Sequence, residues 1–137
     1  MFDVFYLDLA RSDSIALSTD SNELLRGSDL KLTVEFKLTS AFLDNIQCRY
    51  EINGISDTLG GYNRSAGLYL VGHRHPLRGR VSIVSITTFL MSNVQFEDQG
   101  TSFFCHMITI HMTSGIKKKT ESTKQEINAV YGKYEFF

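Results

Sequence analysis

The stretch Leu30-Lys31-Leu32-Thr33-Val34-Glu35-Phe36-Lys37-Leu38 alternates apolar and polar side chains without a break. In an extended chain successive side chains point to opposite faces, so Leu30, Leu32, Val34, Phe36 and Leu38 share one face and the charged residues take the other. The pattern predicts a half-buried strand, because a helix would scatter the same apolar set around its circumference.

The neighbouring pieces extend this reading in both directions. Ile46-Gln47-Cys48-Arg49-Tyr50-Glu51-Ile52 alternates again, with Ile46, Cys48, Tyr50 and Ile52 on one face, and ends on the turn pair Asn53-Gly54. Residues 54–67 are rich in Gly, Ser, Asn and Asp and read as a loop, followed by a short strand at 68–71 and a turn region at 72–79 holding the single proline, Pro76. Two strand-like runs cover 81–86 and 88–94, Glu97-Asp98-Gln99-Gly100 allows one helical turn, and a long strand runs over 103–112. A charged stretch at 117–124 and a last strand near 127–131 complete the chain, while Ile15-Ala16-Leu17-Ser18 and Glu23-Leu24-Leu25 are weak edge strands near its start. No long helix is expected, and seven to nine short strands separated by turn signals imply a two-sheet antiparallel sandwich.

Composition bounds the function. The 137 residues carry 14 Lys and Arg against 15 Asp and Glu, a net charge of −1, which lacks the basic excess of a protein that tracks nucleic-acid phosphates. With 42% hydrophobic and 12% aromatic residues the chain is not a disordered one. Its length fits one domain over 1–137, with a core from about 12 to 131, able to bury roughly 65–70% of the unfolded surface. No apolar run is long enough to span a membrane, and Met1-Phe2-Asp3-Val4 lacks the basic and apolar regions of a leader peptide. The protein is then either cytoplasmic or a mature segment headed by Met1. Cys48 and Cys105 fit no CxxC pattern, which leaves one long-range disulfide or two buried thiols.

Catalytic patterns are missing. His73 and His75 flank Arg74, but no third ligand is spaced to complete a zinc site. His106 and His111 fall on opposite faces of their strand, and adjacent Cys105 and His106 point to opposite sides, so neither pair acts as a unit. There is no Gly-x-Ser-x-Gly, phosphate-binding glycine loop or His-Glu-x-x-His, and no carboxylate pair for acid–base work. Neither an enzyme nor a cofactor or metal protein is expected.

Three stretches carry a likeness to a known family. They are Gly27-Ser28-Asp29-Leu30-Lys31-Leu32-Thr33-Val34, then Gln47-Cys48-Arg49-Tyr50-Glu51-Ile52-Asn53-Gly54, then the run from Leu90-Met91-Ser92-Asn93-Val94 through Asp98-Gln99-Gly100-Thr101-Ser102-Phe103-Phe104-Cys105. In this order they resemble the B strand, the C strand and the E strand, E–F corner and F strand of an immunoglobulin variable-type domain, over about residues 12–131. Val34 stands where the family places its B-strand Cys, Tyr50 where it places the core Trp, and Phe103 where the corner Tyr would hydrogen-bond to the backbone. The spacing from Asp98 to Cys105 is also one residue longer than the family signature Asp-x-Gly-x-Tyr-x-Cys.

The resemblance implies an all-β, immunoglobulin-like V-type antiparallel β-sandwich. In it strands C and F are neighbours, so Cys48 and Cys105 are expected to form a within-sheet bridge, with two free buried thiols as the alternative. Arg80, heading the D strand, is expected to pair with Asp98 at the E–F corner. Loss of the B-strand Cys and C-strand Trp beside a retained corner, with the run Gly100-Thr101-Ser102-Phe103-Phe104-Cys105, resembles the cnidarian allorecognition receptors. That narrower likeness implies homophilic binding in trans between cells, matching self against non-self.

With Cys105 facing the core as the resemblance implies, Phe103 and Met107 are expected to face it too and Phe104, His106, Ile108 and Ile110 to point outward, beside Gln47, Arg49 and Glu51 of strand C. Such an apolar stripe with mixed charges suits a two-fold contact in which Arg49 of one copy meets Glu51 of the other. The competing expectation is that the N-terminal segment with Phe2, Val4 and Tyr6 covers the stripe. Asn63-Arg64-Ser65 is an N-glycosylation sequon, and Lys117-Lys118-Lys119 falls in the F–G hairpin, as a recognition loop or simply a solvated tip.

The expectation is therefore an extracellular recognition domain of a type I cell-surface protein whose leader and membrane anchor are not in this chain. Its partner is a protein, the same one on an opposing cell, with no nucleic acid and no small-molecule substrate. The alternatives are a heterophilic or secreted immune-type domain binding through its loops, and a structural immunoglobulin-like module.

Overall fold

Alternating strands of this kind bury one face each and need a second sheet to cover it. The computed structural model describes residues 13–71, 77 and 79–132. Strands β1 (Ser14–Thr19), β3 (Leu30–Lys37), β8 (Thr88–Met91) and β7 (Val81–Ser85) form one sheet in the order β1-β3-β8-β7. Strands β10 (Lys117–Glu121), β9 (Ser102–His111), β4 (Ala41–Ile52), β5 (Ile55–Asn63) and β6 (Gly67–Leu70) form the other in that order, with β11 (Gln125–Glu126) also paired on β9. A parallel pair, β2 (Glu23–Leu25) with β12 (Ala129–Tyr131), closes one edge. The two orders are the ABED and GFCC′C″ sheets of a variable-type immunoglobulin-like sandwich.

Between the sheets lie Leu30, Leu32 and Val34 of β3, Ile46, Cys48 and Tyr50 of β4, Phe89 and Met91 of β8, and Phe103, Cys105 and Met107 of β9. Each Leu, Ile, Val, Phe or Met among them contributes about 1.5–3 kcal/mol on leaving water. The faces of β3, β4 and β9 follow the alternation in their sequences. Val34, at the B-strand cysteine position, is fully buried, and Tyr50 fills the place of the core Trp.

Twelve strands among the described residues exceed the expected seven to nine, because both terminal strands are broken. β1 and β2 divide the first strand between two partners, and β10, β11 and β12 divide the last.

The largest departure concerns 54–67, which reads as a loop but is mostly the nine-residue strand β5. Its glycines explain both the misreading and the fold. At the register shift between Cys48 and Arg49, a Cβ on Gly61 would run into the carbonyl of Ile46, and one on Gly60 into the carbonyl of Tyr69. Only glycine lets the two neighbouring backbones come this close. The second departure is Lys117-Lys118-Lys119, which is not a hairpin tip but the first half of β10, paired with Ile110, Thr109 and Ile108. The tip is the segment 112–116. Glu97-Asp98-Gln99-Gly100 does contain a turn of 3₁₀ helix, at Phe96–Asp98.

Candidate functional site: the outer face of the larger sheet

Residues directly opposite each other on antiparallel strands share a face, so the pairings build the surface. Along β9, Phe104, His106, Ile108 and Ile110 point away from the core and are half-buried. On β4 they stand opposite Arg49, Gln47, Asn45 and Phe42. On β10 Glu121, Lys119 and Lys117 stand opposite His106, Ile108 and Ile110. Beyond β4, strand β5 adds Ser56, Thr58, Gly61 and Asn63 opposite Glu51, Arg49, Gln47 and Asn45. The structure thus brings Gln47, Arg49, Glu51, Phe104, His106, Ile108 and Ile110 onto one face.

The stripe is rimmed by cations lying on its aromatic ends. Lys124 Nζ sits 5.4 Å from the Phe104 ring centroid and 3.0 Å from a Glu51 carboxylate oxygen. At the other end the Arg64 guanidinium lies 4.8 Å from the Phe42 ring and 3.5 Å from Asp44. Lys119 and Glu121 pair along β10 at 3.2 Å. Long cationic stems cover apolar surface while their charged heads stay wet, which leaves the stripe half-buried rather than bare.

Arg49 donates to Ser56 Oγ at 3.2 Å and Thr58 Oγ1 at 2.9 Å, and Gln47 Nε2 donates to the same Thr58 oxygen at 3.1 Å. Both members of the expected cross-copy pair, Arg49 and Glu51, therefore hold partners within the chain. Burial holds the His106 imidazole below its usual range, helped by the neighbouring Lys119 and Arg49 charges and opposed by Glu121. Sequence reading missed the contribution of β10, which is polar at every position from Lys117 to Glu121 and so carries no alternation to reveal it.

Cys48 and Cys105 are directly opposite and bonded, with Cα atoms 4.0 Å apart. The Cys105 N–H donates to Ser122 Oγ and the Ser122 N–H donates to the Cys105 carbonyl, both at 2.8 Å. Since both main-chain groups of Cys105 turn away from β4, the two cysteines form a non-hydrogen-bonded pair, the closer of the two antiparallel arrangements. At the bottom of the sandwich Arg80 Nη1 and Nη2 donate to both oxygens of Asp98 at 2.9 and 2.8 Å. That contact raises the Arg80 pKa.

At the opposite end, the hairpin between β9 and β10 presents Met112 and Ile116, 65% and 67% exposed. The His111 Nδ1 accepts the N–H groups of Thr113 and Ser114 at 3.3 and 3.2 Å and so organises the turn. Phe2, Val4, Tyr6, His73, His75 and Pro76 lie outside the described residues. Among the described residues no His, Cys, Asp or Glu cluster is arranged to hold a metal ion, and no helix is long and apolar enough to cross a membrane.

No family model and no curated protein matches the chain. Among solved structures it is similar to murine CRIg, with a TM-score of 0.59 over 87% of this chain and 98% of that one, at 13% identity. The likeness is one of fold.

Proposed function

We propose that the chain, as one immunoglobulin-like domain, is the ligand-binding ectodomain of a cell-surface recognition receptor, and that its outer β10-β9-β4-β5-β6 face binds a second copy presented by an opposing cell. Self/non-self matching is the sharper form of this reading. The observation that carries it is the row Phe104, Ile108 and Ile110, bordered on one side by Lys117, Lys119 and Glu121 and on the other by Arg49 and Glu51. Charges of both signs on each border let a two-fold related copy meet opposite charges while the apolar rows face each other. The fold fits a recognition domain that contacts proteins, and a Cys48–Cys105 disulfide fits an oxidising, extracellular setting.

Sedimentation of the non-reduced protein over a wide concentration range, with a thiol titration on the same sample, tests the reading. Weak concentration-dependent dimers, no free thiol, and loss of the dimers in Arg49→Glu are expected. Association unchanged by Arg49→Glu removes this face from consideration. A second reading rests on the exposed Met112 and Ile116 at the hairpin tip, which favour a loop-mediated heterophilic binder. A strict monomer that loses partner binding in Met112→Ser/Ile116→Ser is its signature.

A further inference from the structure

Asn63 ends β5, and Arg64, Ser65 and Ala66 form the exposed turn into β6. Its side chain lies on the outer face, because it stands opposite Asn45 of β4, which in turn stands opposite Ile108 of β9. Asn63 Oδ1 accepts the Ser65 N–H at 2.8 Å, which fixes the carboxamide by its oxygen and leaves the Nδ2 amide outside that bond. Arg64 is drawn back over Phe42 and Asp44, so the residue between Asn63 and Ser65 does not lie across them.

The face is chemically divided along β4. The half toward β5 and β6 offers Ser56, Thr58, Gly61, Asn63 and Tyr69, polar or bare except for one ring. The half toward β9 and β10 holds the apolar row. We propose that Asn63 carries an N-linked glycan that shields the β5–β6 half and confines protein contact to the β4-β9-β10 half. The proposal deepens the reading above and rests on its extracellular setting. The modification is transfer of an oligosaccharide from a lipid diphosphate donor. The bond from Nδ2 to the sugar anomeric carbon forms, that carbon's bond to the diphosphate oxygen breaks, Nδ2 loses one proton, and the lipid diphosphate leaves. A bulky, hydrated chain at this edge opposes docking over β5 and β6.

The test is to secrete the full chain from a eukaryotic cell line and map its peptides by mass spectrometry before and after enzymatic deglycosylation. Hexose and N-acetylhexosamine mass on the Asn63 peptide, absent in Ser65→Ala, is expected; an unmodified Asn63 overturns the proposal whatever the protein binds. Ser65→Ala removes the sequon but keeps the backbone bond to Asn63 Oδ1. In sedimentation, Ser65→Ala and the glycosylated chain should self-associate within about threefold of each other. The double variant Lys119→Asn/Glu121→Thr adds a sequon to the apolar half and should associate at least about tenfold more weakly than Lys119→Asn/Glu121→Ala, which makes the same charge changes without the sugar. Association that rises more than about tenfold on removing the Asn63 sugar, or that survives a sugar on β10, overturns the assignment of halves. An occupied Asn63 in a chain that never self-associates overturns the homophilic reading instead.

Discussion

Arg80 grips both oxygens of Asp98, at 2.8 and 2.9 Å, where the carboxylate is wholly shielded from solvent and the arginine side chain is 18% exposed. The backbone N–H of Gln95 adds a third bond to the same carboxylate at 2.7 Å, so its desolvation is offset by three donors. Arg80→Ala strands that charge in the corner, and we expect a loss of about 3 kcal/mol or more in urea unfolding. Arg80→Lys keeps the charge but not the two-pronged contact, and should fall between the two.

The Cys48–Cys105 bond closes a loop with a sequence separation of 57. Constraint of the unfolded chain by a loop of that size is worth about 4 kcal/mol on the chain-entropy account. Cys48→Val/Cys105→Val should lose about 4 kcal/mol in urea unfolding, with a larger m-value because its unfolded chain exposes more surface. An m-value equal to that of the oxidised protein would mean the bond had not been closing the loop.

Because the His106 imidazole is held below its usual 6.5 in the fold, the unfolded chain takes up its proton first as pH falls. Above that pH both states are neutral and the full stability is present. Below it stability declines until the lower folded value is passed, then levels. His106→Asn should flatten this segment of the curve, and an imidazole titration of the folded protein followed by NMR should show a midpoint under 6.5.

Gly61→Ala puts a methyl group against the Ile46 carbonyl. Backbone cannot give way there as a side chain would, so the variant should lose more than about 2 kcal/mol in thermal or urea unfolding. Gly54→Ala, at a turn with open space around it, is the comparison and should lose about 1 kcal/mol through its positive φ alone.

The strands that could be read from sequence by alternation are those with one wet and one buried face, Leu30 to Leu38 and Ile46 to Ile52, whereas Phe103 to Met107 has apolar residues on both sides and took its facing from Cys105. The corner of Asp98 and the pairing of the two cysteines came through family resemblance, not through spacing. β5 was hidden because its centre, Gly60-Gly61, is chosen for close backbone approach and carries no side chain to show a period. β10 was hidden because an edge strand reaching past the core is exposed on both sides, so Lys117, Lys118 and Lys119 show no alternation; lysines on such an edge also discourage unwanted strand pairing. The face was legible in its β4 and β9 residues and illegible in its rim, since Lys124 and Arg64 reach it from a bulge and a turn.

Placing the sulfur bridge on β4 instead of β3 changes how the domain would answer a pull on its ends. The covalent ring runs from Cys48 to Cys105 and encloses β5 to β8, while β1, β2 and β3 lie on an open arm before it and β10, β11 and β12 on another after it. Under tension both arms can come away from their partner strands with nothing covalent to stop them, but the ring cannot lengthen. Extension would therefore end early, at a knot of four strands still tied between two neighbours.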